Sequence, residues 1–194
     1  MASLTRRKRG LSQVVTTLIL LVVSVLLAGV VTYYATNVTM TRTEQEDVDI
    51  SKAHVWVNST GGAEAAFVVE CLGGRDILID KITVRGVESS WSDVYMWRAG
   101  TTAITSDLSY ARPNAANNYN ASKTHPWNIT IQSATRQLTS ISTDVDLASS
   151  YNLVFYILSP DNIDLSDIGT TVSITVFTTN GQYIEEVNVE YSGT

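Results

Sequence analysis

Cysteine is nearly absent from this 194-residue chain, with Cys71 standing alone. A single cysteine cannot close an intrachain disulfide, build a cysteine-based zinc site or attach haem. Proline is scarce, with three residues, and only 16% of the chain is charged, below the usual quarter. Serine and threonine are abundant instead, which suits an extracellular β-rich surface better than a cytosolic enzyme. Basic residues are outnumbered, 13 against 19 acidic, for a formal charge of −6. Four of those 13 stand together as Arg6-Arg7-Lys8-Arg9, so the rest of the chain is more acidic still. That balance argues against nucleic acid as a partner. A length prior of about 150 residues per domain allows one globular domain plus an appendage.

Charge is wholly missing from residues 10–41. Within them, 14–35 is a mostly apolar run of the length that crosses a bilayer as a helix. The basic cluster precedes it, which places that end in the cytoplasm and the long remainder outside. Three readings compete. A cleaved secretory signal would carry an apolar core of about 7–15 residues and a small-residue cleavage site; this run is longer, and Tyr33-Tyr34-Ala35-Thr36-Asn37 offers a poor site. An uncut single-pass anchor is the second reading.

The third rests on Arg7-Lys8-Arg9-Gly10-Leu11-Ser12, a basic leader that ends in glycine just before the apolar run. It resembles the class III signal peptide of type IV pilins and archaellins. The resemblance implies cleavage by a membrane-embedded prepilin peptidase between Gly10 and Leu11, with the helix left whole. Leader recognition would fall to Arg7, Lys8, Arg9, Gly10 and Leu11. The stretch from Leu11 to Leu20 is similar to the start of archaeal pilin helices. Bacterial type IV pilins usually carry Glu at the fifth mature position, where this chain has Val15, so the likeness favours the archaeal members.

The helix is expected from Leu11 to about Asp49. Its first part is apolar on every side, as in a helix buried all round, first in lipid and then among other helices. It is rich in β-branched residues, which weaken helices slightly in water, but in lipid the backbone must bond internally. Ala28 and Gly29 would let helices approach closely. The resemblance then implies a helical homopolymer of identical subunits, built by membrane assembly machinery through head-to-tail contacts. Its core would be Val14, Val15, Leu18, Ile19, Leu21, Val22, Val25, Leu26, Gly29, Val30 and Tyr33.

Residues 50–194 read as an all-β domain. Val172-Ser173-Ile174-Thr175-Val176 and Glu186-Val187-Asn188-Val189-Glu190-Tyr191 alternate with period two around Asn180-Gly181, a hairpin signal because both turn residues accept positive φ. Further strands are expected at 53–58, 65–72, 77–85, 94–98, 127–131 and 152–158. About eight strands over this length suit a β-sandwich, and the resemblance implies an Ig-like, pilin-like one. Residues 99–126 are polar and aperiodic, and are expected to be exposed or to lie at a subunit contact.

The chemistry in the sequence is sparse. His54 and His125 lack any metal-ligand spacing, and no G-x-S-x-G or Walker motif occurs. Cys71 sits in a strand pattern and reads as a buried apolar residue. Asp161, Asp164 and Asp167 suggest a calcium loop but do not match the EF-hand spacing, and read as a solvated acidic turn. Trp91, Tyr95, Trp97 and Tyr110 could serve adhesion, though such residues are more often core or contact anchors. The N-x-[ST] pattern occurs at Asn37, Asn58, Asn120 and Asn128, as candidate glycosylation sites. Neither an enzyme, a cofactor nor a metal is expected. The predicted protein has a leader (1–10), a helix (11–49) inserted in the cell membrane as precursor, and an extracellular domain (50–194). It would form a surface filament for attachment to glycans, host or abiotic surfaces. An archaellin of a swimming filament is the alternative within the family, and a monomeric anchored surface-binding domain the alternative outside it.

Overall fold

The computed structural model describes residues 2–43, 45–111 and 127–193, with side chains in the helix from Ser12 to Thr41. The chain forms two compact units that divide between residues 44 and 45.

The first unit is one helix, α1, Ala2–Thr43. It starts ahead of the expected Leu11 because the leader is made of good helix formers. The lone Gly10 costs only about 1 kcal/mol, too little to break the helix. It stops before the expected Asp49 because the next residues are claimed by the β unit. Asp47 O accepts the amides of Leu72 and Gly73 at 2.9 and 3.1 Å, and β1 (Val48–Val57) begins at once. The β unit therefore begins near residue 45 rather than 50.

After β1 come β2 (Ala63–Cys71), β3 (Ile77–Val84), β4 (Val87–Glu88), β5 (Val94–Gly100), β6 (Trp127–Ile131), β7 (Ala134–Ser140), β8 (Val145–Leu147), β9 (Asn152–Leu158), β10 (Thr171–Thr178) and β11 (Gln182–Tyr191). The hydrogen-bonded order is β4-β3-β10-β11-β1-β2-β9-β5-β7-β6, with β8 on β3. The pairings are antiparallel except β1 with β11, which run parallel in the register Val55↔Val189. Midway along β1 the pairing to β2 shifts between Ser51 and His54, where Lys52 takes a φ of 50°.

The apolar side chains fall into two clusters. In the larger one, Phe67 and Phe155 from β2 and β9 meet Ile79, Ile82, Ile174 and Val176 from β3 and β10. The two halves of the sheet path thus share one core. The second cluster lies on the other face of β2 and β9, where Ala66, Val68, Val154 and Tyr156 pack with Trp127, Ile129, Ile131 and Leu138 of the β6–β7 hairpin. Because β2 and β9 are covered on both faces, their middles, 65–69 and 153–158, are continuous apolar runs instead of period-two alternations. Each large side chain buried this way stabilises the fold by about 1.5–3 kcal/mol.

Two hairpins correct the turn reading. β10 and β11 do pair, in the register Phe177↔Gln182, yet neither Asn180 nor Gly181 takes positive φ. The turn closes instead through Thr178, whose N–H donates to Gly181 O at 2.9 Å and whose Oγ1 accepts from Gly181 N at 3.0 Å. The positive-φ pair belongs to β6–β7, where Gln132 and Ser133 stand at 53° and 61° between the partners Ile131 and Ala134.

The first part of the expected loop is a packed strap. Leu108 is buried, and Ile104, Tyr110 and Ala111 lean on the second cluster. The strap is pinned from three elements: Lys52 Nζ donates to Thr105 O, Gln132 Nε2 to Ala103 O, and Tyr156 Oη to Ser109 O. The remainder of that loop, 112–126, lies outside the described residues.

Candidate functional site

Over Ser12–Thr41, α1 is long and apolar enough to cross a membrane, and none of its most apolar window is buried in the structure. Every large residue expected in a filament core is exposed here, from Val14 at 63% to Tyr33 at 72%, including Val15, Leu18, Ile19, Leu21, Val22, Val25, Leu26 and Val30. A soluble monomer rarely shows so much contiguous apolar surface. A methyl group added at Gly29 would touch nothing within 4 Å, so its small size serves no packing among the described residues. Arg7, Lys8, Arg9, Gly10 and Leu11 lie within the helical backbone, and their side chains are outside the description.

The helix disposes of its hydroxyls internally. Thr16, Thr32, Thr36, Thr39 and Thr41 donate to carbonyls four residues back, and Thr17 and Ser24 to carbonyls three back. These bonds occupy the hydroxyl protons of seven Ser and Thr residues without water, which is the condition for placing such residues in an apolar medium. Sequence reading missed this feature, although any Ser or Thr within a helix can make such a bond to a backbone carbonyl one turn back.

The polar groups of the β unit serve its own fold. His54 Nε2 meets Asp107 Oδ1 at 2.8 Å and its Nδ1 lies 3.5 Å from Glu190 Oε1. Its ring stacks on Trp56 with centroids 5.0 Å apart. The hydrogen bond from His54 holds the Asp107 carboxyl below its usual range. His125 lies outside the described residues. Cys71 closes β2, fully buried, and burial pushes its thiol up, the reverse of an activated nucleophile.

Asp161, Asp164 and Asp167 do not converge. Asp164 caps a short 3₁₀ turn and shares a capping box with Asp167, while Asp167 Oδ1 pairs with Arg85 Nη1 at 2.7 Å. Arg85, Asn162, Ile163, Asp164 and Asp167 line an open hollow of about 590 Å³. Among the described residues no group of three potential metal ligands forms. The aromatic quartet is divided as well. Tyr95 is buried within the second cluster, edge-to-face with Trp127, while Trp91, Trp97 and Tyr110 pack partly buried against the cores. The Arg136 guanidinium lies over Trp97, 4.7 Å from the ring centre.

The four sequons separate by environment. Asn37 is exposed on α1, and Asn128 is half-buried on β6. Asn58 is buried; its Oδ1 accepts from Thr60 N, Thr60 Oγ1 and Gly62 N, and its Nδ2 donates to Tyr110 Oη at 3.2 Å. A glycan on that nitrogen would displace the Tyr110 bond and the strap above it. Asn120 lies outside the described residues. A buried carboxylate that sequence reading passed over is Glu64 in β2, which accepts the Ala111 amide at 3.0 Å.

Compared by sequence, the chain matches no family model and no curated protein. Among solved structures it has a distant likeness to a family 123 glycoside hydrolase from Clostridium perfringens, described for glycolipid glycan hydrolysis. The identity is 9%, the likeness covers 77% of this chain and 28% of the enzyme's, and the TM-score is 0.33. The chain thus spans under a third of that enzyme's length, and a likeness this distant carries no argument about activity.

Proposed function

We propose that the protein is a structural subunit of an archaeal type IV pilus-like filament, held in the membrane as a precursor and polymerised through α1. The observation that carries this reading is the helix itself. From Ser12 to Thr41 it is exposed and mostly apolar, and seven of its Ser and Thr hydroxyls are turned back onto its own carbonyls. Such a surface passes from lipid into a bundle of like helices without meeting water. Val14 to Tyr34 rises about 30 Å, the thickness of the hydrocarbon core, which sets Tyr33 and Tyr34 at the interface where tyrosines anchor.

The Ig-like assignment of the β unit draws support from strand order. β1-β2-β9-β5 follows the A-B-E-D arrangement and β3-β10-β11 the C-F-G arrangement of immunoglobulin sandwiches. Under this reading Asn37 and Asn128 are the described sequons open to glycosylation. Adhesion to surfaces, or swimming if the filament is an archaellum, is then the task of the assembled polymer.

One observation favours an uncut anchor instead: α1 runs unbroken through Gly10. The N-terminus of native material sheared from cells separates the two. A start at Leu11, in fibres that sediment without detergent, is the expected result. A start at Met1 or Ala2, found only in membranes, would overturn the filament reading and leave an anchored surface domain.

A further inference from the structure

The linker that follows α1 crosses two turns of the β unit. At the β2–β3 turn it passes so close that a Cβ on Gly73 would stand 2.7 Å from Gln45 O and 2.8 Å from Asp47 N. At the β10–β11 turn Glu46 forms the clasp. Its Oε1 accepts from Thr178 Oγ1, and its Oε2 accepts from Asn180 Nδ2 at 2.9 Å. The Thr178 hydroxyl in turn accepts from Gly181 N at 3.0 Å.

Asn180-Gly181 is exposed, and in such a dipeptide attack of the backbone nitrogen on the side-chain amide is least hindered, because the glycine carries no Cβ. Both reacting groups are restrained here. The amide of Asn180 is held by Glu46, and the nitrogen of Gly181 by Thr178.

We propose that Asn180 is a site of spontaneous deamidation guarded by the linker clasp, and that its conversion releases the linker irreversibly. The Gly181 nitrogen gives its proton to solvent base and attacks Asn180 Cγ. A C–N bond forms, Nδ2 takes a proton from water, its bond to Cγ breaks, and ammonia departs to leave a cyclic imide. Water then opens the imide at one of its two carbonyls. Breaking the new bond at Cγ yields aspartate, and breaking the original peptide bond yields isoaspartate. No oxidant or reductant is involved.

Either product undoes the clasp. The side chain that donated to Glu46 becomes a carboxylate facing a carboxylate, and like charges at this range repel. Isoaspartate also lengthens the backbone by one methylene, which carries Gly181 N away from Thr178. The lost ammonia is not regained, and although either product can re-form the imide, neither returns to asparagine, so a linker that has once opened long enough to react stays open.

The test uses the full chain in detergent micelles, incubated at mildly alkaline pH and peptide-mapped by mass spectrometry. In the wild type Asn180 is expected to convert roughly tenfold or more slowly than in the same chain unfolded in urea, as for a group that reacts only from a locally opened state. Glu46→Ala and Thr178→Val are each expected to speed conversion at Asn180 and at no other asparagine. Equal rates in the folded wild type, both variants and the unfolded chain would overturn the guarding role. For the release, hydrogen exchange at the Leu72 and Gly73 amides is read in Asn180→Asp. Faster exchange, reversed by adding Glu46→Gln, is expected, and unchanged exchange would overturn it.

Discussion

An imidazole favours the charged form of Asp107. Asp107 lies in the strap and meets His54 of β1 at 2.8 Å, with Glu190 of β11 on the ring's other nitrogen and Lys52 nearby, which also favours the Asp107 anion. Asp146, beside Arg98, and Asp164, which accepts from Ser166, are likewise held below the usual carboxylate range. A carboxyl whose folded pKa is lowered contributes stability that is full above its unfolded value of about 3.9. That contribution is lost as pH falls through the lower folded value. Urea unfolding at pH 5 and at pH 3 is therefore expected to show a loss on acidification. Asp107→Asn is expected to begin about 0.2–1 kcal/mol less stable at pH 5, the range for an exposed pair, and to lose less on going to pH 3. An equal acid loss in wild type and variant would remove Asp107 from this role. The His54–Asp107 pair was illegible in the sequence, because its partners are 53 residues apart and neither stands in a motif.

At the scale of elements, the β6–β7 turn carries a testable strain. Ser133 is an exposed non-glycine residue at a φ of 61°, a conformation that costs an L-residue about 1–2 kcal/mol. Ser133→Gly is expected to raise the thermal midpoint, by up to about 1 kcal/mol in stability once the entropy of glycine is counted. Gln132→Gly is expected to lower it, since it deletes the side-chain bonds from Gln132 Nε2 to Ala103 O and Thr105 Oγ1 and keeps only the backbone bond to Ser106. The bounds of β6 and β9 are those expected from their residues, because apolar runs ending in turn residues are local signals. β7 was missed: in Ala134-Thr135-Arg136-Gln137-Leu138-Thr139-Ser140 only Leu138 is fully buried, so no pattern marks it. β4 and β8, at two and three residues, are too short to carry one. The Asn180-Gly181 turn was located correctly for the wrong reason, since a threonine hydroxyl replaced the positive-φ pair.

At the scale of the molecule, the division into an apolar helix and an all-β unit was plain in the sequence, because charge returns and hydropathy falls after residue 41, but its boundary was expected at 49/50 and lies at 44/45. The closing of the sheet path was not plain, because β1 finds β11 through a contact that spans nearly the whole unit. A chain cut to residues 45–194 is expected to remain folded and monomeric without detergent, while the full chain requires detergent or sediments as polymer. Sedimentation with circular dichroism checks both, and aggregation of the truncated unit would show that α1 is needed for more than assembly. The parallel pairing of Val55 with Val189 also sets a timetable. During synthesis α1 emerges first and β1 next, but β1 has one free edge until β11 leaves the ribosome. Long-range pairings of this kind are slow to form and leave an unpaired strand in the meantime. The β unit must therefore complete itself late, after the helix has emerged, and throughout that interval β1 offers an open edge to any other strand it meets.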